Sequence, residues 1–329
     1  MSSNLAKHDL LTRVHEVIGA DMLAAEVAYD TELTSQHPYV TDVIAHVTRF
    51  RGKRMRPMLL FLAARACGGI NDDHRTLAAV VEMIHTATLV HDDVLDDADT
   101  RRHVATVNSR WNNETSVLCG DYLFTHAFHL AASVDALACR MIGHATNLVC
   151  EGELCQVHER ANCDLTEEQY YHIINGKTAE LLALGCFLGA HYAGADEQTV
   201  TDMQEYGRAL GMSFQIADDL LDILGDEDLT GKSLGSDYKK QKLTLPLIHL
   251  RANAPVADQP QLRELMSNPT ADNWQQLLKW LEASGSIDYA RSQAARFANK
   301  ARERLAEIDD SIAKRILEEL PDFAGKRSY

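Results

Sequence analysis

Apolar residues recur three and four positions apart along almost the whole chain, the period of a helix buried on one face. Leu10–Tyr29 shows the pattern first. Arg56-Pro57 precedes a strongly apolar run, Met58–Cys67, which Gly68-Gly69 ends. Asn71–Asp73 caps a long helix carrying Leu77, Val80, Val81, Met83, Ile84, Ala87 and Thr88. Thr166 and Gln169 have the spacing of a capping box ahead of Tyr170–Lys177. Val200–Leu224 reads as another long helix, and Trp274–Ala283 and Ile287–Ile308 read as amphipathic closing helices. No segment of strand length alternates with period two, and no nucleotide-type glycine motif or long repeat occurs. The expected fold class is therefore all-α, a single large helical bundle with residues 1–329 as one domain. Asn253–Gln261 is the best candidate break, but it is short and reads as a loop between helices.

Two acidic clusters interrupt this pattern with one spacing. Asp92-Asp93-Val94-Leu95-Asp96 and Asp218-Asp219-Leu220-Leu221-Asp222 both read D-D-x-x-D, and both sit in apolar, helix-like surroundings. Helix residues four apart share a face, so Asp92 stacks on Asp96 and Asp218 on Asp222. Carboxylates so placed are costly unless a cation meets them. Oxygen-only ligands select hard cations, and Mg²⁺ suits a shell that phosphate oxygens complete. A solvated acidic face is the bland alternative, and it would not be expected twice in apolar surroundings.

The chain has a net charge of −16, from 48 acidic against 32 basic side chains. That balance excludes a general nucleic-acid binder, which needs a basic footprint. An anionic substrate would have to be met by bound cations and local basic clusters. Gly52-Lys53-Arg54-Met55-Arg56-Pro57 is such a cluster at a helix start, where backbone N–H groups also favour anions. Arg101-Arg102 follows the first acidic motif, Lys177-Thr178 ends or interrupts a helix, and Lys232, Lys239, Lys240 and Lys242 follow the second. Each lysine alone would be an ordinary surface charge; their recurrence beside the acidic motifs points to metal-and-phosphate chemistry. The seven cysteines include no C-x-x-C and read as reduced thiols. The N-terminus lacks the pattern of a signal or transit peptide, and the most apolar run, Leu181–Ala190, is too short to span a bilayer. A cytoplasmic protein without stable membrane insertion is expected.

These residues together resemble the trans-prenyl diphosphate synthases over nearly the whole chain, most closely the medium- and long-chain, octaprenyl-type members. The similar segments are Gly52–Pro57, His85–Arg102, Gly120–Phe124, Gly152–Gln156, Gly176–Ala179, Phe214–Asp222 and Lys242–Ile248, in matching order and spacing. The resemblance implies a helical bundle of isoprenoid-synthase type around a central cavity. It implies head-to-tail (1′-4) condensation of isopentenyl diphosphate with an allylic prenyl diphosphate, giving an all-trans polyprenyl diphosphate for quinone side chains. About three Mg²⁺ ions are implied, replaceable by Mn²⁺. Asp92 and Asp96 would ligate two and Asp218 the third, with Asp93, Asp219 and Asp222 in the shell or just behind it. Arg101, Lys177 and Lys242, helped by Lys232, would meet the allylic diphosphate. Lys53, Arg56, His85 and Arg102 would hold isopentenyl diphosphate, and Thr178 and Gln215 would face the reacting allylic carbon. A homodimer is the family expectation.

Product length is expected to depend on the helix before the first motif. Ala87 and Thr88 lie about one turn before Asp92, where short-chain members tend to carry aromatics. Small residues there leave a tunnel open; Val80, Met83 and Ile84 would line it deeper, with Tyr122, Phe124 and Phe128 toward its floor. His103 stands where the family often has Gly, and Trp111-Asn112-Asn113 replaces Trp-Gly-Asn. Alternatives are a short-chain farnesyl or geranylgeranyl diphosphate synthase, a terpene cyclase, and a non-catalytic subunit of a heteromeric synthase. A cyclase usually lacks the second acidic motif and the Lys53/Arg56 cluster; a non-catalytic subunit would be expected to have lost motif residues that this chain keeps. Asp226–Gly231 imitates a phosphatase or Ca²⁺ loop without the strand or the closing Glu that either needs. Lys326-Arg327 could close over the isopentenyl site.

Overall fold

The computed structural model describes residues 2–50, 52–225 and 234–325, with side chains from residue 9 to 322 within those segments. Lys232, the Asp226–Gly231 loop and Lys326-Arg327 lie outside the described residues.

The fold is all-α, as the periodicity requires. The chain forms α1 (Ser2–Glu32), α2 (Pro38–Val47), α3 (Met55–Cys67) and α4 (Asp72–Leu95). A two-stranded antiparallel ribbon follows, β1 (Thr100–Arg101) and β2 (Val104–Ala105). Then come α5 (Val107–Arg110), α6 (Asn113–Val134), α7 (Ala136–His158) and α8 (Glu167–Ile174), a π-helical turn at Asn175–Ala179, α9 (Glu180–Tyr192) and α10 (Glu197–Leu224). The remainder is α11 (Ser236–Lys239), α12 (Leu245–Asn253), α13 (Gln259–Ser267), α14 (Ala271–Ala283), α15 (Ser286–Glu303) and α16 (Ile312–Gly325).

Local signals explain most helix starts. Asn71 accepts from the His74 amide while the His74 ring accepts from the Asn71 amide, a reciprocal cap on α4. Thr166 and Gln169 make the expected capping box on α8. Asn112, in the position of the family's Gly, is extended at φ −170° and caps α6 by accepting from the Thr115 amide at 2.7 Å.

Contacts group the chain into two compact units. One comprises Met1–Thr146, Leu181–Gly207 and Arg304–Glu318; the other comprises Asn147–Glu180, Arg208–Glu303 and Glu319–Tyr329. In the first, α4 packs against α6, α1 and α3. Leu77, Val80, Val81, Met83, Ile84 and Ala87 of α4 have no exposed surface, so this helix is apolar on most faces because it is enclosed on most faces. In the second, α12 packs on α8, α14 and α15, and the core runs from Tyr170 and Ile174 through Ile216 and Leu220 to Trp274 and Leu277.

The ribbon is a small addition to the all-α fold. Thr100 pairs with Ala105 and Arg101 with Val104, leaving Arg102-His103 as a two-residue loop. Both loop residues are left-handed, at φ 51° and 63°. A tight hairpin of this kind needs positive φ at both centres and prefers Asn-Gly, so the sequence carried no recognisable turn signal. The structure also explains why a glycine would suit position 103.

Candidate active site

In the first unit the acidic motif lies at the C-terminal end of α4. Asp92 and Asp93 fall in its last turn and Asp96 is the C-cap. The negative end of the helix dipole makes this a poor place for three carboxylates without a positive counterpart. Asp93 has one in Arg101. It is 1% exposed and takes Nε and Nη2 of Arg101 at 2.8–3.1 Å. Burial raises its pKa, Arg101 opposes the rise, and Asp92 and Asp96 add to it. Asp92 and Asp96 are half-exposed. Arg101, expected at the diphosphate, is the partner that holds Asp93 in place.

Beside this lies a cluster of cations in the same unit. Arg54 caps α3 in a left-handed conformation at φ 49° and donates to Glu82 Oε1 at 2.6 Å. Its guanidinium stands 5.5 Å from the Tyr29 ring centroid. Arg102 donates to the carbonyl of Phe50. A small pocket is bordered by Arg54, Glu82, His85, Thr86 and Arg102. Burial lowers the pKa of Arg56 to about 10, with Glu82 opposing and Arg102 adding to the shift. His85 is held well below its ordinary value, first by burial and then by Arg56, Arg102, Arg101 and Arg54. It is therefore a neutral ring among cations. The buried Nε atoms of Arg54 and Arg56 and Oε2 of Glu82 have no hydrogen-bond partner. Cations crowded at this cost are what an anionic ligand would relieve. Lys53 is exposed at the same loop. Glu82 and Tyr29 were not anticipated from sequence, because their roles beside Arg54 follow from contacts between distant helices.

Met83, Ile84 and Ala87 are fully buried upstream of the acidic end. Thr88 is half-buried and donates to the His85 carbonyl at 2.8 Å. Phe124 is half-buried, its ring 5.9 Å from that of His91. Tyr122 donates to Thr34 O at 3.3 Å. Phe128, expected beside them, lies at the surface of this chain at 37% exposed. His126 on the same helix bonds Glu32 at 2.7 Å.

The second unit carries Lys177, Thr178, Gln215 and the other acidic motif. Lys177 and Thr178 sit in the π-helical turn, an irregularity that re-aims side chains and recurs at functional sites. Its place is set by a close backbone approach. A Cβ on Gly176 would stand 2.6 Å from Leu148 O, and one on Gly152 would stand 2.6 Å from the Lys177 amide nitrogen. Only glycines at both positions let α7 approach this closely. Lys177 Nζ lies 2.5 Å from Glu153 Oε1, a partner within the Gly152–Gln156 segment.

Asp218 is half-exposed on α10. Asp219, 6% exposed, accepts from the Tyr170 hydroxyl at 2.6 Å and from Gln215 Nε2 at 2.8 Å. Thr178 donates to Gln215 Oε1 at 2.6 Å. Asp222 accepts from the Ser236 amide and hydroxyl and from the Asp237 amide, at 2.6–3.1 Å, and so anchors the start of α11. Lys242 is half-buried and donates through its backbone to Asp237 O at 2.8 Å. Lys239 is exposed and Lys240 half-buried.

Among the described residues no three His, Cys, Asp or Glu side chains converge as a self-sufficient metal site. In the first unit Asp92 and Asp96, and in the second Asp218 by itself, offer the oxygen donors that suit Mg²⁺, which keeps several waters and takes one or two carboxylates with phosphate oxygens. The cysteines are all free thiols. Among the described residues one stretch, Glu167–Tyr192, is long and apolar enough to cross a membrane, but 83% of its apolar window is buried within the protein, as befits a core helix.

All-α architecture with acidic helix positions and clustered arginines defines a class of helical protein, and comparison narrows it. The polyprenyl synthetase family model matches residues 37–281. The octaprenyl diphosphate synthase of Escherichia coli (strain K12) is 34% identical over 96% of this chain and 99% of its own length. The all-trans-nonaprenyl-diphosphate synthase (geranyl-diphosphate specific) of Rhodobacter capsulatus is 35% identical over 98% of each chain. Among solved structures, a decaprenyl diphosphate synthase from Rhodobacter capsulatus superimposes with a TM-score of 0.91 at 35% identity, covering 97% of this chain and 99% of the other. A polyprenyl synthase from Caulobacter crescentus CB15, complexed with calcium and isoprenyl diphosphate, gives 0.90 at 34% identity over 97% and 98%. The chain belongs to the polyprenyl synthetase family. It is a prenyltransferase.

Proposed function

We propose that the chain condenses isopentenyl diphosphate head-to-tail with an allylic prenyl diphosphate, repeatedly, to give a medium- or long-chain all-trans polyprenyl diphosphate. The observation that carries this reading is the pairing, within one unit of an acidic chain, of half-exposed Asp92 and Asp96 with the cations around neutral His85. The names of full-length relatives, octaprenyl and nonaprenyl diphosphate synthases, support the longer products.

Asp92, Asp96 and Asp218 would hold Mg²⁺ ions, which when bound supply positive charge to the leaving diphosphate. Arg101, Lys177 and Lys242 meet the allylic diphosphate, and preorganised cations stabilise the charge that grows as its C–O bond breaks. Lys53, Arg56, His85 and Arg102 orient isopentenyl diphosphate so that its double bond attacks the allylic carbon. Thr178 and Gln215 face that carbon, and the proton lost at the end goes to the released diphosphate. Met83, Ile84, Ala87 and Thr88 limit how far the product grows. We take the enzyme to act in the cytoplasm as a homodimer, serving quinone side-chain synthesis.

Purified protein with Mg²⁺, isopentenyl diphosphate and allylic primers, followed by product sizing, tests the reading. A ladder of linear products ending beyond the geranylgeranyl length is expected. A ladder stopping at or below that length would make it a short-chain synthase. A cyclised hydrocarbon or no product would overturn the condensation itself.

A further inference from the structure

Four side chains of the second unit form one hydrogen-bonded row: Tyr170, Asp219, Gln215 and Thr178. The donor of each bond in it is defined by the geometry. Tyr170 is 3% exposed and gives its single proton to Asp219 Oδ2 at 2.6 Å. The Gln215 amide turns Nε2 toward the other carboxyl oxygen and donates to it at 2.8 Å. Gln215 Oε1 then faces Thr178 and accepts its hydroxyl proton at 2.6 Å. A threonine hydroxyl has one proton and two lone pairs. With the proton committed to Gln215, only lone pairs remain for a neighbouring reactant.

We propose that Tyr170 and Asp219 are positioning residues that fix the polarity of the Gln215–Thr178 pair, so that Thr178 offers oxygen lone pairs, and never its proton, to the allylic carbon. The inference rests on the condensation reading above. A carbon that becomes cationic as diphosphate leaves is stabilised by the negative ends of fixed dipoles and opposed by a hydroxyl proton. The second aspartate of this motif then acts through two intervening side chains, not as a metal ligand.

A polarity swap tests this. Asp219→Asn lets the amide of residue 219 turn its NH₂ toward position 215. Where the amide oxygen keeps accepting from Tyr170, the NH₂ faces Gln215, which rotates and pushes the Thr178 proton outward. The double variant Asp219→Asn/Gln215→Glu restores the row, because a carboxylate at position 215 accepts both from residue 219 and from Thr178, and the total charge is unchanged. Single-turnover rates with Mg²⁺, isopentenyl diphosphate and an allylic diphosphate are expected to fall about a hundredfold in Asp219→Asn. The double variant is expected to recover at least about tenfold of that, with apparent Mg²⁺ affinity unchanged in both. Tyr170→Phe, which keeps the packing, is expected to lower kcat about tenfold while KM for both substrates holds. It provides the same test if the Asn variants fail to fold. No recovery in a folded double variant, or a weakened Mg²⁺ affinity in Asp219→Asn, would make Asp219 a metal ligand and overturn the proposal. So would a Tyr170→Phe enzyme with unchanged kcat. A wild-type protein with no turnover would instead sink the condensation reading, and this inference with it.

Discussion

The two D-D-x-x-D motifs are spelled alike and partnered differently. In each, the middle aspartate is buried: Asp93 is 1% exposed and Asp219 is 6% exposed. Asp93 meets a guanidinium, whereas Asp219 meets a phenol and an amide. A cation compensates a buried carboxylate better than neutral donors do. Accordingly Asp93 is raised against the pull of Arg101, whereas Asp219 is pushed well above the usual carboxylate range, by burial first and the charge of Asp237 next. The last aspartates diverge as well. Asp96 caps α4, and Asp222 anchors the backbone that opens α11. Equal spacing therefore guarantees a shared face, and the partners decide what each carboxylate does there.

The largest test of this contrast removes one partner from each motif. Arg101→Ala strands Asp93 as a bare buried charge and should cost about 3 kcal/mol of stability. Tyr170→Phe deletes one neutral donor and should cost about 1.5 kcal/mol. Chemical denaturation of the two variants checks the order; equal losses would remove the distinction. The pH dependence has a definite sign. Without Arg101 the Asp93 carboxyl rises further above its unfolded value, so the folded state keeps a proton the unfolded state has released. The stability loss in Arg101→Ala should therefore be smallest in acid and grow as pH rises through and above the ordinary carboxylate range.

A smaller effect concerns how the second site is placed. Gly176→Ala drives a methyl against Leu148 O and should destabilise the protein by about 2 kcal/mol while lowering turnover through Lys177 and Thr178. Unchanged melting and turnover would show that α7 can yield there. Upstream of the first motif, Ala87→Phe should shorten the product with little loss of total turnover, read by sizing the prenyl chains. An unchanged product would remove Ala87 from the length-determining set. The least effect is at the ribbon: His103→Gly removes a side chain from a left-handed centre and should stabilise by about 0.5 kcal/mol, read as a raised Tm.

The helices and both acidic motifs were legible because they depend on local spacing and capping. Thr166 with Gln169 and Asn71 ahead of α4 signal their helices within four residues. Partners were not legible in the same way. Arg101 stands near Asp93 in sequence, yet it reaches back through a hairpin whose Arg-His centre gives no turn signal. Tyr170 and Asp219 are 49 residues apart, and nothing in either neighbourhood names the other. The Glu82–Arg54 bond under the cation cluster joins residues 28 apart. The π-helical turn was legible only as a helix interrupted near Lys177, since the Gly152 backbone that packs on it comes from another helix. Phe128 shows the reverse limit: its helical spacing matched that of Phe124, but it faces outward.

The central claim is that Asp92 in one motif and Asp218 in the other both serve one metal-dependent condensation. The direct measurement is the steady-state rate of wild type, Asp92→Asn and Asp218→Asn with isopentenyl and allylic diphosphates, titrated with Mg²⁺ and with chelator. The account predicts that chelator abolishes wild-type turnover, and that each variant loses at least about a hundredfold in kcat and needs more Mg²⁺ for its residual rate. Turnover that survives chelation, or a near-normal rate in either variant, would contradict it.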